Sequence, residues 1–234
     1  MKTLEIPEIE LFTDGGAEPN SGKGGFGVIL SYKGRKKEFF EGYELTTNNR
    51  MELMAVIFGL EKIKVKAKVT VYSDSKYVVD GIVKGWAENW EQNNWIRKKG
   101  NLVLNKDLWE RLLNVIDKHE VEFNWVKGHA GHLENERCDA LANKGINAAN
   151  KIKDEGYLDY LDNIEDYQEK KLEKEGDLCR KCNTPTIKKT PKKRKVKKNQ
   201  IYYYEYYLYC PNCKAMYMVE DAKREVSDNN NTLF

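Results

Sequence analysis

Four acidic residues stand in distinctive local settings: Asp14 in LFTDGGAEPN, Glu52 in TTNNRMEL, Asp74 in VYSDSKYV and Asp139 in GHAGHLENERCDALA. Carboxylates are hard oxygen ligands for Mg²⁺ or Mn²⁺. Two such ions about 3.5–4 Å apart can activate a water and stabilise the leaving oxygen of an in-line phosphoryl displacement. A site of that kind must converge several carboxylates on a small volume, because each ion needs anionic ligands and the like charges need the metal between them. Taken singly, each acid also suits a solvated surface or a cap; a strand-end Asp before a Gly turn is common.

A second constellation lies near the far end. Cys179-x-x-Cys182 and Cys210-x-x-Cys213 are separated by 27 residues, and Cys138 is left over. Two such knuckles let four thiolates meet one tetrahedral ion, so one structural Zn²⁺ is expected, with a redox dithiol pair as the alternative. Cys138 reads as an inert helix residue. No internal repeat exists beyond the two knuckles.

Several elements must carry these groups. Alternating apolar residues lead to Asp14, GGFGVILSY and KKEFFEGYEL flank a Lys33-Gly34 turn, AKVTVYSD ends in Asp74, and VEFNWVKGH ends in a Gly-His loop; all five read as strands. Helical spacing runs from Thr47 to about Ile63, from Ser75 to Val83, through DLWERLLNVI, and from Glu134 to about Ala149. Trp86 to Gly100 is a Trp-rich polar segment. Three strands in a row followed by helix and strand in alternation predict an α/β fold, a mixed five-stranded sheet flanked by helices.

The predicted division is a catalytic domain over 1–147, an acidic helical linker over 148–177, a zinc-ribbon-like module over 178–225 and a disordered tail over 226–234. The linker carries Tyr157, Tyr160, Ile164, Tyr167 and Leu172 at helical spacing and closes at Gly176. At 234 residues the chain has room for one ordinary domain plus an appendage. A formal net charge of +3 is too small to imply a nucleic-acid partner by itself. No apolar run is long enough for a membrane span, the acidic N-terminus argues against a secretory signal, and paired cysteines outside a disulfide framework suit a reducing compartment. The expectation is a cytoplasmic monomer.

TDGG, TTNNRMEL, SDSKYV and GHAGHLENERCDALA, in this order over roughly residues 9–146, strongly resemble the type 1 ribonuclease H family. The resemblance implies that fold, with endonucleolytic cleavage of the RNA strand of RNA–DNA hybrids leaving 3′-hydroxyl and 5′-phosphate ends. It makes Asp14, Glu52, Asp74 and Asp139 ligands of two Mg²⁺ or Mn²⁺ ions, with Glu52 near the RNA 2′-hydroxyl, and His129 an aid to proton transfer or product departure. It also places Asn20, Asn48 and Asn49 along the hybrid's minor groove, Thr47 and Asn105 around a DNA-strand phosphate, and Trp86 and Trp90 under the DNA strand. His132 and His119 are read as structural.

Three departures from the family pattern stand out. Leu45 replaces a frequent arginine, Lys76 a frequent glutamine, and the segment matching a protruding basic handle holds Glu88 and Glu91 against Arg97, Lys98 and Lys99. They predict weaker hybrid binding by the catalytic domain alone. The C-terminal module offers a compensation: eight Lys/Arg and no acid between Lys188 and Lys198, followed by YYYEYYLY, supply cations for phosphates and aromatic faces for bases. Tyrosines packing around the zinc, a protein-docking ribbon, and PKKRKV as a nuclear-import signal are the alternatives. For the whole chain, the competing readings are a transposase-like or junction-cutting nuclease and a binding module without catalysis.

Overall fold

In the computed structural model, residues 6–97, 100–128, 130–167, 171–191 and 201–225 are described. They fall into two compact units. The first holds the chain to Trp95 and Leu102–Tyr167; the second holds Ile96–Asn101 and the chain from Gln168 onward.

Five strands build the first unit: β1 (Glu8–Glu18), β2 (Gly22–Tyr32), β3 (Arg35–Thr46), β4 (Lys68–Ser73) and β5 (Glu120–Trp125). Their order is β3-β2-β1-β4-β5. β1, β2 and β3 pair antiparallel, whereas β4 runs parallel to β1 and β5 parallel to β4. The β2–β3 hairpin closes on Lys33 and Gly34, both with positive φ (50° and 77°), the backbone a two-residue turn needs to match strand twist. The parallel pairs need crossovers. These are α1 (Asn48–Glu61) before β4, then α2 (Lys76–Val83), α3 (Trp86–Gln92) and α4 (Lys106–Ile116) before β5, with α5 (Leu133–Ile146) after it. The mixed five-stranded sheet is the one the sequence predicts.

Strand alternation gives the sheet two apolar faces. Leu11, Phe26 and Val28 pack against Met51, Ile57 and Leu60 of α1, with Trp109 and Leu112 of α4 in the same cluster. On the other face, Phe12 and Ile29 meet Cys138 and Leu141 of α5. Cys138 is therefore core, and burial pushes its thiol far above the usual range. α3 was not anticipated. Its stripe is hidden among Glu, Asn and Gln, and it becomes amphipathic only because Trp90 lies edge-on to the Trp109 ring (5.6 Å).

The segment expected as a linker helix is divided. Residues 148–167 continue the first unit: Ile152 donates its N–H to Gly42 (2.9 Å) and accepts from Glu44 (3.0 Å), a short parallel bridge on β3. Asp154, 3% exposed, caps helix α6 (Glu155–Asp162) and accepts from Arg50 (2.7 Å) and Thr46 (2.6 Å). A fully buried Arg50 needs carboxylate partners, and Asp154 is one of two. Residues 168–170 of the expected helix lie outside the described residues; Gly176 does take positive φ (93°).

The second unit holds β6 (Ile187–Lys189), β7 (Tyr202–Tyr204), β8 (Tyr207–Tyr209), β9 (Met216–Met218) and β10 (Lys223–Glu225), as a three-stranded sheet β6-β8-β9 and a pair β10-β7. Its apolar core is Leu172, Leu208, Val219 and Ala222, flanked by Tyr204, Tyr206 and Tyr217. So small a core needs a staple. The expected disordered tail, 226–234, lies outside the described residues.

Candidate active site

The parallel register of β1 and β4 brings two of the acids together. Thr13 pairs with Ser73, where the parallel ladder ends, so Asp74, just after β4, comes beside Asp14; β1 does not stop there as expected but runs on to Glu18 along β2. Glu52 arrives from the first turns of α1. A Cβ at Gly15 would fall on the backbone of Met51 and Glu52, so only glycine lets the helix come this close to β1. Asp139 comes from the middle of α5, one residue from buried Cys138.

All four carboxylates are half-buried. Burial first, then the Asp74 charge, pushes Asp14 up to about 7; Asp139 and Glu52 add to this, and the Gly15 N–H (2.7 Å) opposes it. Glu52 also rises to about 7 through burial and Asp74, opposed by the Ser75 hydroxyl, which donates to it at 2.5 Å. Crowded carboxylates that resist ionisation are a poor arrangement for stability alone, and a divalent cation between them removes the repulsion. The donor set therefore fits hard divalent ions.

Supporting contacts add residues the sequence reading did not single out. Asn135 donates to Asp74 Oδ2 (3.2 Å), and Trp125 Nε1 donates to the Asp74 carbonyl (2.9 Å). Lys76 stands over the Trp125 ring (5.0 Å) rather than reproducing the frequent glutamine. Asn143 holds Asp139 Oδ1 at 3.1 Å. Asn135 lies in the same motif as Asp139 while Trp125 and Asn143 lie outside the motifs, and the pairing of Asn135 with Asp74, 61 positions apart, needs the fold. A Cβ at Gly128 would meet Asp74 Oδ2 at 2.6 Å, so the loop leading to His129 starts against this carboxylate. His129 itself lies outside the described residues. His132 is exposed at the start of α5, and burial lowers the pKa of His119.

The expected substrate contacts fall into two groups. Asn20 accepts from the Asn48 N–H (3.2 Å), Asn48 accepts from the Ala17 N–H (2.6 Å), and Thr47, the residue before α1, makes no side-chain cap bond; Asn49 is exposed beside them. Asn105, with φ of 59°, donates to the Tyr77 hydroxyl (3.1 Å), which also accepts from Trp109 Nε1 (2.9 Å). Trp86 is 39% exposed with Lys84 above it, while Trp90 is half-buried between Trp86 and Trp109. Lys98 and Lys99 of the handle lie outside the described residues.

In the second unit, Cys179, Cys182, Cys210 and Cys213 bring their sulfurs within 4.8 Å of one another, and Cys179–Cys213 and Cys182–Cys210 stand 3.4 Å apart without a disulfide. Thiolates around one tetrahedral zinc at about 2.3 Å would be about 3.8 Å apart, so the cluster suits such an ion. Backbone N–H groups of Lys181 and Cys213 point at Cys179 and Cys210; hydrogen bonding with Thr184 lowers Cys182 to about 5, whereas burial and the neighbouring thiols push Cys213 up to about 12.

A family model described as RNase H matches residues 7–147. Ribonuclease H of Desulforamulus reducens is 57% identical over 141 residues, spanning 60% of this chain and 89% of its own. Ribonuclease H of Trichodesmium erythraeum is 50% identical over 155 residues, spanning 66% and 99%. Among solved structures, LC9-RNase H1, described as a type 1 RNase H with the type 2 active-site motif, aligns with a TM-score of 0.54 at 32% identity, covering 60% of this chain and 72% of that one.

Proposed function

The chain belongs to the RNase H family and is an endoribonuclease that cleaves the RNA strand of RNA–DNA hybrids, and we propose that Asp14, Glu52, Asp74 and Asp139 carry the reaction as ligands of two Mg²⁺ or Mn²⁺ ions. The adjacency of Asp14 and Asp74 where the parallel ladder ends, with Glu52 drawn in over Gly15, carries this reading. When bound, such ions supply a nucleophilic water and charge stabilisation at the leaving oxygen, giving 3′-hydroxyl and 5′-phosphate ends. The chain's own groups fix that geometry: Ser75 aims Glu52, Asn135 aims Asp74, and Asn143 restrains Asp139. His129, next in sequence to Gly128, fits a proton carrier near neutral pH.

Hybrid is held by Asn20, Asn48 and Asn49 in the minor groove, Thr47 and Asn105 at a DNA phosphate, and Trp86 and Trp90 under the DNA strand. Recognition by shape and backbone allows many sequences to be cut. The four cysteines hold one structural Zn²⁺, and the ribbon they staple adds nucleic-acid affinity. Among the described residues no helix is long and apolar enough to cross a membrane; free cysteines favour a reducing cytoplasm, and a monomer suffices for the site.

The decisive experiment compares wild type with Asp14→Asn on a labelled hybrid with Mg²⁺, with double-stranded RNA and DNA as controls. RNA-strand cutting confined to the hybrid should fall at least about a thousandfold in the variant, as expected when a ligand of the catalytic metal is lost. Equal activity in both proteins would refute the carboxylate assignment.

A further inference from the structure

The three-stranded sheet of the second unit has one covered and one open face. Leu208 of β8 points into the unit's core with Tyr217 of β9 beside it. Alternation sends the neighbours the other way, and the register makes two cross-strand rows: Ile187, Tyr209 and Met216 in one, Lys189, Tyr207 and Met218 in the other. On this second face Met216 is 61% and Met218 56% exposed, while Tyr207, Tyr209 and Lys189 are half-buried. Lys189 Nζ sits 3.5 Å from the centre of the Tyr209 ring, a cation held against an aromatic face.

A flat aromatic and thioether surface about 10 Å across three strands accepts planar groups. A duplex hides its base faces inside its own stack, and presents only backbone and groove edges. An unpaired strand presents bases and phosphates together. The sequence that follows Lys189, TPKKRKVKK, holds no acid, and a charge run of that kind favours a polyanionic ligand. An adaptable methionine surface would also suit a protein, but that charge density selects a polyanion. Once short RNA products dissociate, the chain's reaction also leaves unpaired DNA.

We propose that this open face, centred on Tyr207 and Tyr209 and flanked by Lys189, Met216 and Met218, is a stacking site for two or three bases of an unpaired nucleic-acid strand. The inference rests on the reading that the ribbon adds nucleic-acid affinity, and it narrows the ligand from nucleic acid in general to single strand. It makes hybrids with single-stranded overhangs better substrates than blunt ones of equal length.

The test uses the full zinc-loaded chain carrying Asp14→Asn, with labelled oligo(dT), oligo(rU) and a blunt RNA–DNA hybrid read by fluorescence anisotropy. Tyr207→Ala with Tyr209→Ala should weaken single-strand binding roughly tenfold or more, leave the blunt hybrid within about twofold, and be rescued by Tyr→Phe at both positions, since the ring and not the hydroxyl stacks. Zinc content per chain reports folding. If the alanine pair loses zinc, Met216→Glu with Met218→Glu, placed on exposed positions, should produce the same selective loss. Unchanged single-strand affinity in a zinc-retaining variant overturns the proposal. An equal loss on the blunt hybrid overturns it too, while sparing the broader reading of the ribbon. No effect of these changes or of neutralising the lysines on any nucleic acid defeats both, and leaves the face to a protein.

Discussion

Burial and mutual repulsion hold Asp14 and Glu52 at about 7, well above a free carboxyl. Because these folded values exceed the unfolded ones, the protonated forms stabilise the metal-free protein at low pH. That contribution is complete below about pH 4 and is lost as pH rises through about 7. A divalent cation needs the ionised forms, so the rise in Tm on adding Mg²⁺ should grow between about pH 5 and 8. Thermal melts with and without Mg²⁺ across that range check this; a metal effect that shrinks with pH would contradict it. kcat/KM should climb through the same window to a plateau. Ser75 has two tasks, donating to Glu52 and capping α2 at the Val78 N–H. Ser75→Ala should cost about 1 kcal/mol of stability through the lost cap. It should also move the acid limb of the pH–rate profile upward, so that the activity deficit closes at high pH.

Arg50 lies in the same helix as Glu52 and is 1% exposed. Asp154 holds its Nε and Nη2, and Asp107 of α4 takes its Nη1 and Nη2 at 2.9 and 2.6 Å. The triad ties α1, α4 and the segment before α6 together behind the catalytic edge. Removing Asp154 leaves buried Arg50 with Asp107 alone and the Thr46 hydroxyl without its acceptor, so Asp154→Ala should destabilise the first unit by about 1–3 kcal/mol. Ending the chain after Asn147 should do the same, despite keeping every residue the family model matches. Urea unfolding measures both; a loss under about 1 kcal/mol would show the pair to be solvated and weak.

At the scale of the whole molecule, under the proposed function the chemistry belongs to the first unit and added grip to the second. Replacing Cys182 and Cys210 by serine should abolish zinc binding and unfold the ribbon, because its core of four residues cannot stand alone. On a hybrid carrying a single-stranded overhang, KM should rise several-fold with kcat nearly constant, as when uniform binding is removed. Changing Lys192, Lys193, Arg194 and Lys195 to glutamine should flatten the dependence of log KM on log salt by about 0.9 for each phosphate no longer neutralised. Steady-state kinetics over a salt series reads both effects, and an unchanged slope would remove the basic run from substrate binding.

The four acids and the elements that carry them were legible in the sequence because each sits in a local pattern, a strand or a helix face, although the turn expected after Asp14 is a continuation of β1 to Glu18. The Lys33-Gly34 hairpin and the paired cysteines were legible for the same reason, spacing being a local property. Asn135 on Asp74, Ser75 on Glu52, the helix hidden in Trp86–Gln92 and the return of Asp154 to Arg50 were not. Each is a partnership across tens of residues, up to 104 for Arg50 and Asp154, whose closure depends on how the sheet and helices pack. Local spacing names groups able to bind metal or nucleic acid. Which of them meet, how deeply they are buried and hence where they titrate follow from packing, because desolvation and charge repulsion act through space and not along the chain.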